Sequence, residues 1–314
     1  MSADTDARAY LDAHNVPTAI RDAVAHAVRT RPSDPIAAIS DYLKQAASKP
    51  PALLLFDVDG TLAVPAQKAD PAIVEMFARL RAKGYLVGIV GAGDFEKQEG
   101  QLGGTGLLQR LDFCFSENGV HAFRGEKLLH LKSIVEHLGD ARWKEFETGL
   151  NALLARVAGE AEALLQQAAG ADETLAARGT FLEKRQCTCN VCIIGRTPTL
   201  SKGARAAFDA ADAAAGLRTR VLDELVASYG PGTPYNLTFS IGGQIGIDCA
   251  PVGWDKTFCL QFLPEAAYPT IHFFGDKTAP GGGDHELYEH ARTIGHTVTS
   301  PEHTLELVEQ LFLA

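Results

Sequence analysis

Apolar residues recur at helical spacing through the first fifty positions, and beyond them the period changes. In "NVPTAIRDAVAHAVRT" (15–30) Ile20, Val24 and Val28 follow Pro17; in "PSDPIAAISDYLKQAA" (32–47) Ile36, Ile39, Tyr42 and Leu43 follow Pro35. Apolar positions at this spacing behind a proline predict two short amphipathic helices. A pair so small cannot bury enough surface alone, so its apolar faces need the main body or a second copy. "SKPP" (48–51) punctuates the end of this module. The unbroken run "LLLF" (53–56), between Pro51 and Gly60, then predicts a core strand of a parallel sheet. A helix from Pro71 to Lys83 with Gly84 as its stop, a strand "YLVGIVG" (85–91) and a strand "FCF" (113–115) leading into "SENG" continue an α/β rhythm. Residues 133–170 read as helical, with "AGEAEALLQQAAGADETLAA" (158–177) as a surface extension. "GTFLEKR" (179–185), "NVCIIG" (190–195) and "YNLTFSIGGQIGID" (235–248) predict an antiparallel sheet. "TIHFFGDK" (270–277) restores the parallel character, and Ser300-Pro301 starts a closing helix to Leu313. The layout is an α/β core interrupted by an α+β cap. It divides the chain into a helical module (1–47), a core (51–132 and 253–314) and a cap (133–252).

Composition narrows the function. A chain of 314 residues, 46% hydrophobic, buries a full core and is expected to hold more than one domain. Its formal net charge of -10 argues against nucleic acid or an anionic membrane as a general partner, so an anionic substrate needs a local cluster of arginines. No apolar run approaches the roughly 20 residues of a membrane helix. The start "MSADTDARAY" is not a secretory signal, so a cytoplasmic protein is expected. Six cysteines in such a chain read as reduced thiols.

The chemistry concentrates where apolar strands stop. Asp57 and Asp59 follow "LLLF" at the carboxyl edge of the sheet, where open α/β sheets bind ligands. Turn duty explains one Asp but not two, and alternation would give both the same direction, crowding like charges unless a cation or shared proton relieves them. "FFGDKTAPGGGDHE" (273–286) adds Asp276 and Asp284. Were the two strands neighbours, these carboxylates would converge in a set suited to Mg²⁺. The glycines at 281–283 allow close backbone approach to phosphate, and Lys256 of "GWDK" offers a counter-charge. "CTCNVC" raises zinc through Cys187, Cys189 and Cys192, but a structural site wants four ligands and only Cys249 or His272 could complete it; reduced cysteines on a strand are the expectation. None of the ten scattered histidines is assigned a catalytic role.

"FDVDGTL" with the later "GD" and "GGD" resembles the haloacid dehalogenase superfamily of aspartate-nucleophile phosphotransferases. More narrowly, "FDVDGTLAVPAQK", "GDFEK", "SENG", "HLG", "RGTF", "IGRT", "FSIGGQIGID", "GWDK", "HFFGDKTAPGGGD" and "SPEHT" stand in the order of eukaryotic phosphomannomutases, over residues 51–314. The resemblance implies a haloacid-dehalogenase-like Rossmannoid core with an inserted α+β cap. It implies an enzyme interconverting mannose 6-phosphate and mannose 1-phosphate for GDP-mannose synthesis, activated by a hexose 1,6-bisphosphate and paired as a homodimer through its cap. Asp57 would be the nucleophile, Asp59 the general acid and base, and Lys256 the holder of the nucleophile and transferring phosphoryl group. Mg²⁺ would sit on the Asp57 carboxylate, the Asp59 carbonyl and Asp276, with Asp284 close by. Arg178, Arg185, Asn190 and Arg196 would bind the second phosphate, and Asp248 the sugar hydroxyls. The first module, "AYLDAHNVPTAIRDAVAHAVRTRPSDPIAAISDYLKQ" (9–45), resembles the dimerisation and docking domain of type II regulatory subunits of cyclic-AMP-dependent protein kinase. That implies a dimeric four-helix bundle receiving an amphipathic anchoring helix, and with it a ciliary or cytoskeletal location.

Four positions depart from the phosphomannomutase pattern: Ala66 for an arginine, Gly93 and Gly246 for serines, and Gly283 for an asparagine. A lost charge-assisted contact at Ala66 would cost roughly 1.5 to 3 kcal/mol. The departures keep open a divergent sugar-phosphate phosphatase, or a weakly active homologue whose arm docks it to a partner. They also leave mannose against glucose preference undecided.

Overall fold

The computed structural model describes Leu11 and residues 16–48, 52–65, 67–170, 180–196 and 200–314. Ala66 and Arg178 lie outside the described residues. The chain divides into two compact units, one of residues 1–129 with 255–314 and one of residues 130–254.

The first unit is built on strands β1 (Leu53–Phe56), β2 (Leu86–Val90), β3 (Phe113–Ser116), β4 (His121–Arg124) and β5 (Lys127–His130), joined after the second unit by β10 (Ile271–Gly275) and β11 (Thr293–Thr297). They form one sheet in the order β11-β10-β1-β2-β3-β4-β5. The pairings from β11 to β3 are parallel, and β4 turns back antiparallel on β3. All four residues of β1 are buried, and the strand's period of two splits them: Leu54 and Phe56 enter one core, Leu53 and Leu55 the other. A strand covered on both faces has no room for polar alternation, which is why it reads as an unbroken apolar run. The helix Pro71–Ala82 buries Ile73, Met76, Phe77 and Leu80, starts at Asp70, whose side chain accepts from the Ala72 amide, and is followed by Gly84 at φ +88°. The closing helix, Pro301–Val308, is capped by Ser300 and widens into a π turn over Glu309–Leu313. Among the described residues no helix is long and apolar enough to cross a membrane.

The arm forms α1 (Val16–Thr30) and α2 (Pro35–Ser48). Asp34 opens α2 by accepting from the Ile36 and Ala37 amides, and His26 and Tyr42 meet across the pair with ring centroids 5.1 Å apart. Of the two alternatives for the apolar faces, the bulky stripe is not packed on the main body. Ala23 and Ala27 are 0% and 7% exposed, whereas Ile20, Val24, Val28 and Ile36 are 49%, 45%, 70% and 80% exposed. Small alanines permit close approach, so the bulky apolar stripe stays outside.

The second unit carries β6 (Thr180–Lys184), β7 (Cys189–Arg196), β8 (Leu237–Gly242) and β9 (Gly246–Pro251), antiparallel in the order β6-β7-β9-β8. Its helix Asp140–Ala169 is 30 residues long and packs with Phe208, Val221 and Leu225 of two further helices and with β7. The expected surface extension is corrected in part: Ala161 and Leu165 are both 0% exposed, so the described part of that segment continues the core face. Alanine counts as apolar area in a close contact but barely registers in a hydrophobic pattern, so the face was hidden.

Candidate active site

The site grows from the pairing of β1 with β10. Phe56 registers with Phe274, and the Asp57 amide donates to the Phe274 carbonyl at 2.9 Å, so the strands release Asp57 and Asp276 side by side at the carboxyl edge. Asp284 is brought back by a turn in which its side chain accepts from the Lys277 amide at 2.8 Å. One oxygen from each of Asp57, Asp276 and Asp284 lies within 4.8 Å of the others. Lys256 opens a 3₁₀ segment, Lys256–Phe262, after the β9 strand and donates to both Asp57 and Asp284. Two glycines make the space. A Cβ on Gly60, at φ +96°, would stand 2.4 Å from Asp276 Oδ2, and one on Gly275 would stand 2.7 Å from the Asp284 carboxyl.

Burial sets the charge states. Asp57 and Lys256 are 5% and 6% exposed and Asp284 is 1% exposed. Burial pushes Asp57 up to about 6, against the pull of Lys256 and with a further push from Asp284. Asp276 is raised by burial and by Asp284. Burial alone would lower Lys256, but Asp57 and Asp284 overcome it and hold the ammonium raised, hence charged. Asp276 Oδ1 is buried without a hydrogen-bond partner. An all-carboxylate set with an orphaned oxygen and glycine-cleared space fits a hard divalent cation such as Mg²⁺.

β1 ends at Phe56, and Asp57 and Asp59 are each met by a lysine, the cation that two such close acids call for, but Asp59 is not one of the three converging carboxylates. Instead the Asp59 carboxylate accepts from Lys97 Nζ at 2.5 Å and from Gln101 Nε2 at 2.8 Å, both on the helix Phe95–Gln101. Lys97 and Gln101 were missed by sequence reasoning; their spacing of four, facing one side of a helix, is the signal that could have found them. Gly93 lies beside this arrangement, its missing Cβ 3.3 Å from Lys97 Cδ. Gly283 borders open space, so its lost side chain removes no packing.

In the second unit, β6, β7 and β9 bring a polar network together. Asn190 pairs across from Asp248 and from Glu183. Asn190 Nδ2 donates to Asp248 Oδ1 at 2.8 Å, and Arg196 Nη2 donates to Asn190 Oδ1 at 2.9 Å. Arg185 Nη1 lies 3.2 Å from Asp248 Oδ1, while Glu183 lies 3.4 Å from Arg196 and 3.8 Å from Arg185. The network therefore gathers Arg185, Asn190, Arg196 and Asp248, with Glu183 as a carboxylate that sequence reasoning had not singled out. The glycine at 246 belongs to this geometry, since a Cβ there would stand 2.5 Å from the Asn190 amide nitrogen. Arg205 adds a further guanidinium: its Nε is buried without a hydrogen-bond partner. Burial pushes the Cys192 thiol up while the charges of Arg196 and Arg205 pull it down.

Cys189 and Cys249 oppose each other on β7 and β9, and burial with the neighbouring Cys189 pushes the Cys249 thiol up. Among the described residues, the aspartate cluster is the group of three or more candidate ligands that converges.

Comparison with known proteins agrees with this arrangement. The family described as "Eukaryotic phosphomannomutase" matches residues 73–314. The phosphomannomutase of Galdieria sulphuraria is 42% identical over 86% of this chain and 98% of its own length. That of Solanum lycopersicum is 42% identical over 85% and 97%, and that of Arabidopsis thaliana 40% over 86% and 100%. A solved haloacid dehalogenase-like hydrolase from Bacteroides thetaiotaomicron is 14% identical, covering 83% of this chain and 100% of its own, at a TM-score of 0.48. On the extent of the sequence match, with a buried aspartate–lysine centre at the expected strand ends, the chain belongs to the eukaryotic phosphomannomutase family.

Proposed function

We propose that this protein interconverts mannose 6-phosphate and mannose 1-phosphate through an aspartyl phosphate on Asp57 and a hexose 1,6-bisphosphate. The observation that carries the proposal is the presence of two anion-handling clusters in one chain: buried Asp57 on Lys256, and Arg185, Asn190 and Arg196 on the second unit's sheet. Hydrolysis of one phosphate needs the first cluster alone, whereas a bisphosphate that must be held at both ends gives work to the second.

An Asp57 oxygen attacks phosphorus of the bisphosphate and the bond from phosphorus to the sugar oxygen breaks. The departing oxygen takes its proton from Asp59, which Lys97 and Gln101 hold in place. In the return step the other hydroxyl gives its proton to Asp59 and attacks the aspartyl phosphate, freeing Asp57. Lys256 stays charged throughout and neutralises the equatorial oxygens. Arg185 and Arg196 bind the phosphate that is not reacting, which requires that it displace Glu183 from them. Asp57, Asp276 and Asp284, with the Asp59 carbonyl, would hold Mg²⁺, which when bound supplies positive charge to the transferring phosphoryl group.

Because Asp57 titrates at about 6, protons compete for it below that pH. The apparent Mg²⁺ affinity is expected to be constant from pH 7 to 8 and to fall by roughly tenfold per pH unit well below 6. Isothermal titration across pH 5 to 8 reads this directly; an affinity independent of pH would remove Asp57 from the ligand set.

The exposed stripe of Ile20, Val24, Val28 and Ile36 supports a second role, in which the arm pairs two copies into a homodimer and receives an amphipathic anchoring helix. A cytoskeletal or ciliary address in the cytoplasm would follow from that docking. Val24→Asp in the full chain is expected to lower the mass measured by light scattering, with turnover kept. An unchanged mass in that variant counts against arm-mediated pairing. The main proposal is tested by phosphorus NMR of mannose 1-phosphate with Mg²⁺ and catalytic hexose bisphosphate, where the 6-phosphate should appear.

A further inference from the structure

Two glycines face each other where β8 turns into β9: Gly242 pairs with Gly246, next on the same face to the pair of Ser240 with Asp248. Their bare backbone leaves a notch in the sheet, and two polar side chains occupy it. A Cβ on Gly246 would stand 2.5 Å from Asn190 Nδ2, and one on Gly242 would stand 1.9 Å from Asp248 Oδ2. Real Cβ atoms keep at least 3.0 Å from other heavy atoms, so any side chain at 242 must move the Asp248 carboxylate. The backbone itself makes no such demand. Gly242 is not among the glycines with positive φ, so alanine suits its strand conformation.

Asp248 divides its two oxygens. Oδ1 accepts from Asn190 Nδ2 at 2.8 Å and lies 3.2 Å from Arg185 Nη1. Oδ2, the oxygen over Gly242, takes no hydrogen bond from the described residues, and the Asp248 side chain is 39% exposed. Each carboxylate oxygen carries two lone pairs, so Oδ2 keeps its capacity to accept. Asn190 in turn accepts from Arg196, which ties the seat of Asp248 to both arginines.

We infer that Gly242 is a positioning residue that sets the specificity of the second unit's site: by leaving room for Asp248 Oδ2 it lets that oxygen accept from a hydroxyl of the hexose, while Oδ1 stays with Asn190 and Arg185. This rests on the reading of Arg185, Asn190 and Arg196 as holders of a sugar phosphate. Gly242 acts through Asp248 and not by touching the substrate. A site built to hydrogen-bond a hydroxyl discriminates against a ligand that lacks one, so the glycine favours a hydroxylated phosphate ester over a simple one.

The test is Gly242→Ala in the full chain with Mg²⁺ and no bisphosphate, with ligand affinity read by amide NMR titration. Mannose 1-phosphate should bind about tenfold more weakly, the loss of one hydrogen bond to a charged group. Methyl phosphate, an ester without a hydroxyl, should bind no more weakly than to the parent, because the arginines are kept. Asp248→Ala should reproduce both results, so the outcome does not depend on the folding of one variant. Adding Gly242→Ala to Asp248→Ala should change the affinity for mannose 1-phosphate by less than about threefold, because the route of action is gone. Far-ultraviolet circular dichroism and melting of each variant report the fold. Equal weakening of both ligands, an unchanged affinity for mannose 1-phosphate, or full additivity with Asp248→Ala overturns the proposal. A chain that shows this binding pattern without isomerising the sugar phosphate counts against the mutase reading alone, whereas a parent that binds no hexose phosphate overturns both.

Discussion

Asp57→Asn is expected to reduce conversion of mannose 1-phosphate by at least about 10⁴-fold, the scale on which removal of a catalytic nucleophile acts. The physical ground is that an amide cannot form the phosphoryl ester, while Asn keeps the volume between Lys256 and the Phe274 carbonyl that Asp57 fills. The fold is expected to survive. Burial holds the Asp57 pKa at about 6, above its value in the unfolded chain, so the native state binds the proton more tightly. Stability from this group is therefore present at low pH and lost as pH rises from about 4 through 6. Above pH 7 the ionised carboxylate opposes folding, and the neutral amide relieves that cost while Lys256 keeps Asp284. Phosphorus NMR should show no 6-phosphate from the variant, and metal-free melting at pH 7.5 should show a midpoint no lower than that of the parent. A variant that turns over would exclude the aspartyl phosphate; one that unfolds would show that Asp57 supports the fold.

Arg196→Ala is expected to separate isomerisation from hydrolysis. Arg196 holds the Asn190 amide and the Glu183 carboxylate, and its side chain is 30% exposed. Loss of one charge-assisted contact costs about 1.5 to 3 kcal/mol. That corresponds to roughly ten- to a hundredfold in conversion of mannose 1-phosphate. Hydrolysis of p-nitrophenyl phosphate, which has no second phosphate, should change by less than about threefold, a loss of under 1 kcal/mol. Glu183→Gln is the control, since it releases the same arginines from their internal partner and should tighten rather than weaken phosphate binding. Equal losses of both activities in Arg196→Ala would place that arginine in the support of the fold instead.

The run at 53–56, the helix after Pro71 and the closing Ser300-Pro301 start were legible because each announces itself within one turn or strand: an apolar stretch, a cap, a proline at the first position. The residues of the centre were legible for the same reason, since Asp57 and Asp276 follow strands whose apolar runs stop abruptly. Sequence by itself determined which residue types are present for phosphoryl transfer, their order and the family they belong to. It could not say that Asp59 is held by Lys97 and Gln101, because the direction of a side chain past a strand end depends on the loop that follows. Nor could it find Glu183 between the arginines, or Gly246 as the space for Asn190, because those relations exist only across neighbouring strands. The arm makes the same point in reverse: periodicity picked out Ile20, Val24 and Val28, but packing turned the Ala23 and Ala27 face inward. Pattern along the chain records which residues could be buried; tertiary structure decides which surfaces meet, because close approach rewards fit between partners that are distant in sequence.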